Sequence, residues 1–552
     1  MRKKNYLIIS IIILFFTVPY IYFYHFNFNY KGIVSIGYLT FKLFYIGSFL
    51  ILIELFRIRL LKIITVLLLF IPYFTDLISV YIYNDYIGTS ATLSMLNTTT
   101  DEFIEFSKGL WLLGGVIVIA YIVVSYLYLS LRPSVLTKKY RLRWFLFFSL
   151  LFVFAISGNI WLAIKKNTTN NSVSANFKKE IIKQYPVNFY YRVYELRLIQ
   201  HNIAKYKKEI EEYSFYAKDA DTLKHKVYVL IIGESQRYDI YINELDKKLK
   251  NNNLSGKNTK ILNNFYSTGN FTAICVPMML TRANVDSCDR CYREPSIVEV
   301  FKEAGYKTYW ISNQDLFAGP PVCLFRDNVD EFYSLYNKFE KHRNDGIILP
   351  TLKKVLDDNT DKKFIVINLL GNHKYNYPDV YNKYKPNKET ENISLVSSEN
   401  KELFINSYKN QTSFELYVLD QIISEVDRDN SIASVVFASD HGESLFDAPH
   451  YYFGHGSIDV PVEQTHVFSF FWMSDRYIEL FQNKAKELQK NSEKLTNTDC
   501  IFYSMADIAN ISFPKLVKSH SLVRKEYRPA SMVRVMGGDM KIHKVSLSNT
   551  LK

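Results

Sequence analysis

Five apolar runs, each near bilayer-spanning length, crowd the first third of this 552-residue chain. They lie at about Tyr6–Tyr24, Ile33–Phe56, Ile63–Tyr83, Leu110–Leu131 and Trp144–Ile164. A stretch of about 20 apolar residues in lipid must satisfy its backbone polar groups internally, so each run reads as a helix. The short loops set direction. Arg2, Lys3 and Lys4 precede the first run, Arg57, Arg59 and Lys62 separate the second from the third, and Arg132, Lys138, Lys139, Arg141 and Arg143 separate the fourth from the fifth. The other two loops carry only Lys31 and Lys108. The positive-inside rule then puts the N-terminus in the cytoplasm, and five crossings export everything after Ile164. No small-residue cleavage site follows the first run, which argues against a signal peptide. Tyr20, Tyr22 and Tyr24 read instead as an interfacial belt.

The formal charge of +13 fits either nucleic acid or an anionic membrane surface. The concentration of apolar residues in the first 166 positions favours the membrane, and neither a zinc-finger spacing nor an RNA-recognition signature is present. Between the third and fourth runs, Asp85–Gly109 is an outer loop in which Leu93, Leu96, Phe103 and Phe106 can share one face of an interfacial helix; an ordinary connector is the alternative. Residues 167–223 read as a polar linker of amphipathic helices broken at Pro186. From about Lys224 to residue 552, strands alternate with helices. Expected strands are Val227–Ile232, Thr308–Ser312, Phe364–Leu370, Ser434–Ala438 and Val467–Phe471, with helices such as Ser296–Ala304 and Glu402–Val426 between them. That alternation predicts an α/β domain with a mainly parallel sheet. Lys374–Asn400 reads as a loop that folds over the site, and the basic tail, with Lys515, Lys518, Arg524, Lys525, Arg528 and Arg534, as a solvated surface. All five cysteines, Cys275, Cys288, Cys291, Cys323 and Cys500, fall in the exported part, where disulfides are the default. The odd number leaves at least one thiol unpaired, and the sequence does not fix the pairing.

Four segments at strand ends or in loops carry groups suited to a metal or a phosphate. They are Gly233-Glu234-Ser235, Asn270-Phe271-Thr272-Ala273-Ile274-Cys275-Val276-Pro277, Gly371-Asn372-His373, and Ser439-Asp440-His441-Gly442 with Gly454-His455-Gly456 shortly after. In open α/β sheets, ligands bind beyond the carboxyl ends of the strands. Adjacent Asp440 and His441 offer oxygen and nitrogen donors of the kind zinc takes at about 2.0–2.2 Å. Thr272 opens an apolar stretch that reads as a helix, so it stands at a helix start suited to a phosphate or serves as a simple cap.

Together these segments resemble the bacterial phosphoethanolamine transferases that modify lipid A and other surface glycans, within the alkaline phosphatase and sulfatase superfamily. The matching pieces are Gly233-Glu234-Ser235-Gln236-Arg237, Thr272-Ala273-Ile274-Cys275-Val276-Pro277, Gly371-Asn372-His373, Ser439-Asp440-His441-Gly442-Glu443-Ser444 and His455-Gly456, in the family's order. The resemblance implies an inner-membrane, multi-pass enzyme with its catalytic domain in the periplasm. It implies one tightly bound zinc held by Glu234, Thr272, Asp440 and His441, with Thr272 as nucleophile. His373 and His455 then line the substrate phosphate or hold a second zinc. Phosphatidylethanolamine is the implied donor, a surface glycan such as lipid A or core oligosaccharide the acceptor, and a monomer is expected.

The chain departs from the family in ways that bear on recognition rather than on the metal. Lys374-Tyr375-Asn376-Tyr377 stands where many members have Gly-Pro-Ala-Tyr, and His455-Gly456-Ser457-Ile458 replaces His-Gly-Met-Pro. A lysine that often binds the donor phosphate has no clear match after Trp310-Ile311-Ser312-Asn313-Gln314, where Asn313 is the candidate donor. Three other readings compete. A phosphoglycerol transferase shares the same metal logic. A sulfatase needs Cys-x-Pro-x-Arg, which Cys275-Val276-Pro277-Met278-Met279 begins without the Arg. A non-catalytic receptor fits poorly with the intact set of Glu234, Thr272, Asp440 and His441.

Overall fold

A computed structural model describes residues 45–53, 58–83, 111–130, 186–248, 252–314, 328–335, 344–373, 375, 377–384, 400–447 and 453–546, with scattered helical positions within 8–18 and 142–157. The first, second and fifth apolar runs, the linker before 186 and the loop 374–400 lie wholly or partly outside these residues; the loop 85–109 and Cys323 lie wholly outside them. The chain divides into two compact units, one of residues 1–87 and 102–196, the other of residues 88–101 and 197–552.

In the first unit, helix α1 (Arg59–Tyr83) and helix α2 (Trp111–Ser130) pack together. Within α1, Arg59–Ser79 has a mean hydropathy of 2.0 over 21 residues and is the one helix among the described residues long and apolar enough to cross a bilayer. The apolar part of α2, Gly114–Ser130, is shorter. Tyrosine hydroxyls tie the unit together through backbone carbonyls, from Tyr121 to Val66 (2.6 Å) and from Tyr73 to Phe15 (3.2 Å). Helix α3 (Val187–Glu211) begins in this unit, where the Asn188 amide donates to Asp76 at 2.5 Å and satisfies an acid buried in an otherwise apolar helix.

The second unit is built on a seven-stranded sheet. Its strands are β1 (Lys226–Gly233), β2 (Thr259–Ile261), β3 (Lys307–Ser312), β4 (Glu331–Ser334), β5 (Lys362–Asn368), β6 (Ile432–Ser439) and β7 (Ser469–Met473), in the spatial order β2-β7-β6-β1-β5-β3-β4. The five strands β6, β1, β5, β3 and β4 run parallel, and β7 and β2 complete one edge antiparallel. Alternate residues of each strand face opposite layers, as the two-residue period requires. Tyr228, Leu230 and Ile232 join Trp310, Phe364 and Val436 beneath helices α5 (Thr272–Leu280), α6 (Ile297–Glu303) and α11 (Cys500–Ile508). Val227, Val229 and Ile231 join Tyr309, Ile365 and Val435 beneath helices α4 (Tyr238–Lys248), α7 (Ile348–Leu356) and α8 (Lys401–Asp427). Helices α9 (Asp475–Leu480) and α10 (Gln482–Asn491) follow the last strand.

The strand register positions the site. Ile232 and Ser312 both pair with Asn368, and Gly233 pairs with Ser439. The four neighbouring parallel strands β6, β1, β5 and β3 therefore end at one level. The loops that follow them, which carry Asp440 and His441, Glu234, His373, and Asn313 with Gln314, emerge side by side at that edge.

Phe301 and Phe364 stack face to face at 3.8 Å in the first of these layers, both fully buried. Phe364→Ala opens a cavity there and is expected to cost about 3–5 kcal/mol. Thermal unfolding followed by tryptophan fluorescence should record a lowered transition.

Candidate metal centre

Thr272 is the first residue of α5. Phe271 before it is extended (φ −158°, ψ 147°) and offers no side-chain cap. The first backbone N–H groups of a helix have no intrahelical acceptor, so this helix start favours an anion in front of it. The Thr272 Oγ1 lies 3.1 Å from Glu234 Oε2, 3.4 Å from Glu234 Oε1 and 3.1 Å from His441 Nε2. His441 Nε2 lies 3.3 Å from Glu234 Oε1 and 3.4 Å from Asp440 Oδ2. The four residues named for the metal on sequence grounds thus converge around Thr272 Oγ1, from three loops separated by up to about two hundred residues of chain.

Each donor is held from behind. Asp440 Oδ1 accepts from the backbone N–H of His441 (2.6 Å) and of Ser235 (3.3 Å), while the Asp440 N–H donates to Gly233 O at 3.0 Å. The Ser235 hydroxyl donates to Glu234 Oε1 at 3.0 Å, and Ser235 itself sits at φ +58°, a left-handed conformation that a non-glycine residue holds only under constraint. That constraint is supplied by the Tyr408 hydroxyl on Ser235 O (2.6 Å). His441 Nδ1 engages Gly442 O at 2.9 Å, which leaves Nε2 for the site. Asn270 donates to Ser457 O and to Gln464 Oε1, and accepts at its carbonyl from Gly456 N, so the start of α5 is tied to the loop of His455.

The electrostatics describe a place built for a cation. Glu234, Asp440 and His441 are buried. Burial pushes the Glu234 carboxyl up, but the charge of His441 and its hydrogen bond outweigh this and hold it well below the carboxylate range. Asp440 is pushed up to about 8 by burial and by Glu234. His441 rises to about 10, because burial, which lowers it, is outweighed by Asp440 and Glu234. Two acids and an imidazole in one dry space cannot all be charged without a compensating ion. Asp440 Oδ2 is the direct sign of this, since it is buried without a hydrogen-bond partner while facing the other donors. The oxygen, oxygen and nitrogen donors, with the Thr272 hydroxyl beside them, fit a zinc ion.

The two further histidines flank this set. His455 has its ring centre 4.1 Å from that of His441, and one donor atom each of Glu234, His441 and His455 lies within 4.8 Å of the others. Burial, and then His441, lower the basicity of His455. His373 is exposed, 6.0 Å from His455 between ring centres. Asn313 lies elsewhere than beside a phosphate. It is fully buried, its N–H extends the β3–β5 pairing to Asn368 O, and its side-chain amide donates to Asp345 Oδ1 at 2.8 Å. The next residue takes the outward place. Gln314 donates to Glu234 Oε2 at 3.1 Å and to Leu369 O at 2.8 Å. The only sequence signal for Gln314 was its position one step beyond Asn313, and strand alternation decides which of the two faces the site.

A buried acid supports the whole edge. Asp345 accepts from Leu370 N (2.9 Å), Gly371 N (2.7 Å) and the Asn313 amide. Beside it, burial and then Asp345 push the Glu415 carboxyl well above its ordinary value. Gly371 adopts φ +57°, and a Cβ there would stand 2.5 Å from Glu234 O, so the turn leading to His373 needs glycine. Of the cysteines, Cys275, Cys288, Cys291 and Cys500 are free thiols, against the expectation of disulfides. Cys275 and Cys500 are walled into apolar cores, and Cys291 Sγ donates to Cys288 O at 2.7 Å within one short turn.

Residues 226–511 match the sulfatase family profile. Among characterised proteins, the chain is 25% identical over 464 residues to the phosphoethanolamine transferase EptC of Escherichia coli K12, covering 81% of this chain and 79% of that one. It is 24% identical over 467 residues to the phosphoethanolamine transferase CptA of Salmonella typhimurium, with the same coverage. Among solved structures, the integral membrane lipooligosaccharide phosphoethanolamine transferase A of Neisseria meningitidis superposes with a TM-score of 0.72 at 17% identity, over 93% of this chain and 97% of that one. The periplasmic domain of E. coli EptC in complex with zinc superposes with a TM-score of 0.52 at 22% identity, over 59% of this chain and 94% of that one.

A bound ion stabilises the folded state by RT ln(1 + [L]/Kd), about 2.7 kcal/mol at a hundredfold excess over Kd. Zinc added to the metal-stripped chain is therefore expected to raise the unfolding temperature, and Asp440→Asn or Glu234→Gln should remove most of that rise. Differential scanning fluorimetry checks both.

Proposed function

The chain belongs to the sulfatase family, and from that premise we propose that it transfers phosphoethanolamine from phosphatidylethanolamine to a hydroxyl or phosphate of a bacterial surface glycan such as lipid A. Residues 1–166 form a five-span inner-membrane anchor, 167–223 a linker, and 224–552 a periplasmic catalytic domain working as a monomer. The observation that supports this reading most is the convergence of Glu234 Oε2 and His441 Nε2 on Thr272 Oγ1, both at 3.1 Å, at an open helix start. Relatives named as phosphoethanolamine transferases support the substrate class.

The residues that would hold zinc in this reading are Glu234, Asp440, His441 and Thr272 itself, with His373 and His455 lining the substrate phosphate or holding a second. Zinc, when bound, favours the alkoxide of Thr272 and draws charge from the phosphoryl oxygens. Thr272 Oγ1 attacks the phosphorus of the donor lipid. The bond from phosphorus to the diacylglycerol oxygen breaks as the new bond to Thr272 forms, and a flanking histidine supplies the proton that diacylglycerol takes away. The N-terminal amides of α5 receive the nonbridging oxygens. A phosphoethanolamine ester then sits on Thr272. In the second half-reaction the acceptor oxygen attacks that phosphorus, its proton passes to the same histidine, and Thr272 leaves. The membrane anchor keeps the site beside the leaflet that holds the donor.

Labelled phosphatidylethanolamine and phosphatidylglycerol, supplied separately to the purified chain, test the reading. Diacylglycerol is expected from the first. Thr272→Ala should lower its release by about a thousandfold or more with the fold retained, while Thr272→Ser keeps measurable turnover. Release from phosphatidylglycerol alone would replace the donor assignment, and full turnover by Thr272→Ala would refute the nucleophile.

A further inference from the structure

We infer that Gln314 is a positioning residue for the metal: its side-chain amide holds the Glu234 carboxyl in the orientation a zinc ion needs, and it spends both of its hydrogens doing so, which leaves none for the substrate phosphate. The inference rests on the proposed zinc site, and only one arm of its test rests on the proposed transfer reaction.

Each oxygen of Glu234 has a donor that is not itself a candidate metal ligand. The Ser235 hydroxyl serves Oε1 at 3.0 Å, and Gln314 Nε2 serves Oε2 at 3.1 Å. The other neighbours of this carboxyl are Thr272 Oγ1 and His441 Nε2. With zinc bound, an alkoxide and a bare imidazole nitrogen have no hydrogen to offer it. Ser235 and Gln314 are then the two bonds that keep the carboxyl from turning about its three side-chain torsions, one on each oxygen. The amide does this without charge. A lysine or arginine in its place would pair with Glu234 and compete with the ion.

The fold commits Gln314 to this contact. Ser312 pairs with Asn368 in the register of β3 and β5, and Asn313 N extends that pairing to Asn368 O. Asp345 draws the Asn313 amide inward while it also accepts from Leu370 N and Gly371 N. The side chain that follows Asn313 therefore points the other way, toward the site. Gln314 N donates to Ser312 Oγ at 3.2 Å, which shapes the turn out of the strand. Gln314 Nε2 donates to Leu369 O at 2.8 Å as well as to Glu234 Oε2, and Gln314 Oε1 accepts from Asn368 Nδ2 at 3.4 Å. A primary amide nitrogen carries two hydrogens, and these two acceptors take both. With oxygen and nitrogen exchanged, the carbonyl would face Leu369 O and a carboxylate, so the neighbours fix the direction of the amide.

The test is the zinc affinity of the purified full chain in detergent micelles, measured by competition with a chromophoric chelator, with zinc the only ligand added. Gln314→Met keeps the length of the side chain and loses both hydrogens. It should bind zinc about 10- to 100-fold more weakly than the parent, with an unchanged far-UV circular dichroism spectrum. In a Glu234→Gln background the same substitution should add little, because it acts through that carboxyl. With zinc saturating, diacylglycerol release from phosphatidylethanolamine should show an unchanged donor KM. Parental zinc affinity in Gln314→Met, a fully additive loss in the double variant, or a raised donor KM at saturating zinc each overturns the inference, the last by making Gln314 a phosphate-binding residue. Should Gln314→Met fail to fold, Gln314→Ala is read in the same way. Glu234→Gln alone separates the two failures. Unchanged affinity there overturns the zinc site and the inference with it, whereas a loss there but not in Gln314→Met overturns the inference alone. The zinc measurements use no donor lipid, so they stand apart from whether phosphatidylethanolamine is the substrate.

Discussion

Two carboxylates and an imidazole brought together where water is excluded set the terms for the rest of this domain. Glu234 and Asp440 stand at the ends of adjacent parallel strands because β1 and β6 pair in a register that matches Gly233 with Ser439. Apart, each acid would be an ordinary strand-end residue. Together they share one space with His441, and Asp440 Oδ2 is left without a hydrogen-bond partner. Buried charge of one sign is tolerated when an ion of the other sign completes it, and the Thr272 hydroxyl sits where such an ion would activate it.

Much of this was legible in the sequence. Apolar runs bounded by turn residues announced β1, β3, β5, β6 and β7, each within two or three residues of its observed limits. The sites named at their ends, Glu234, Thr272, Asp440 and His441, do meet. The edge strands β2 and β4 were not legible, because three or four residues carry too little periodicity to stand out. Asn313 and Gln314 show a different limit. Both are amides at the same strand end, and only the register tells which one turns inward to Asp345 and which reaches Glu234. The free thiols mark a third. Sequence placed the cysteines in an exported segment, but packing inside apolar cores separates Cys275 and Cys500 from any partner among the described residues.

The support around the metal donors is mostly polar and mostly buried, which makes it exacting. Asp345 joins the ends of β3 and β5, Tyr408 holds Ser235 in a strained conformation, and Asn270 binds the start of α5 to the His455 loop. The bonds made in such a network rigidify a site, and breaking one costs more than its pairwise value suggests. The residues of the resembling motifs, Glu234, Thr272, Asp440 and His441, stand together at the strand ends, and the segment after His373 lies apart from the bonds that hold them.

The most direct measurement is zinc-edge X-ray absorption on the purified, zinc-loaded full chain. Glu234, Thr272, Asp440 and His441 supply only oxygen and nitrogen, so the first shell should consist of light atoms at about 2.0–2.2 Å. A shell containing sulfur at about 2.3 Å would place the metal on the Cys288-x-x-Cys291 turn instead and contradict the account.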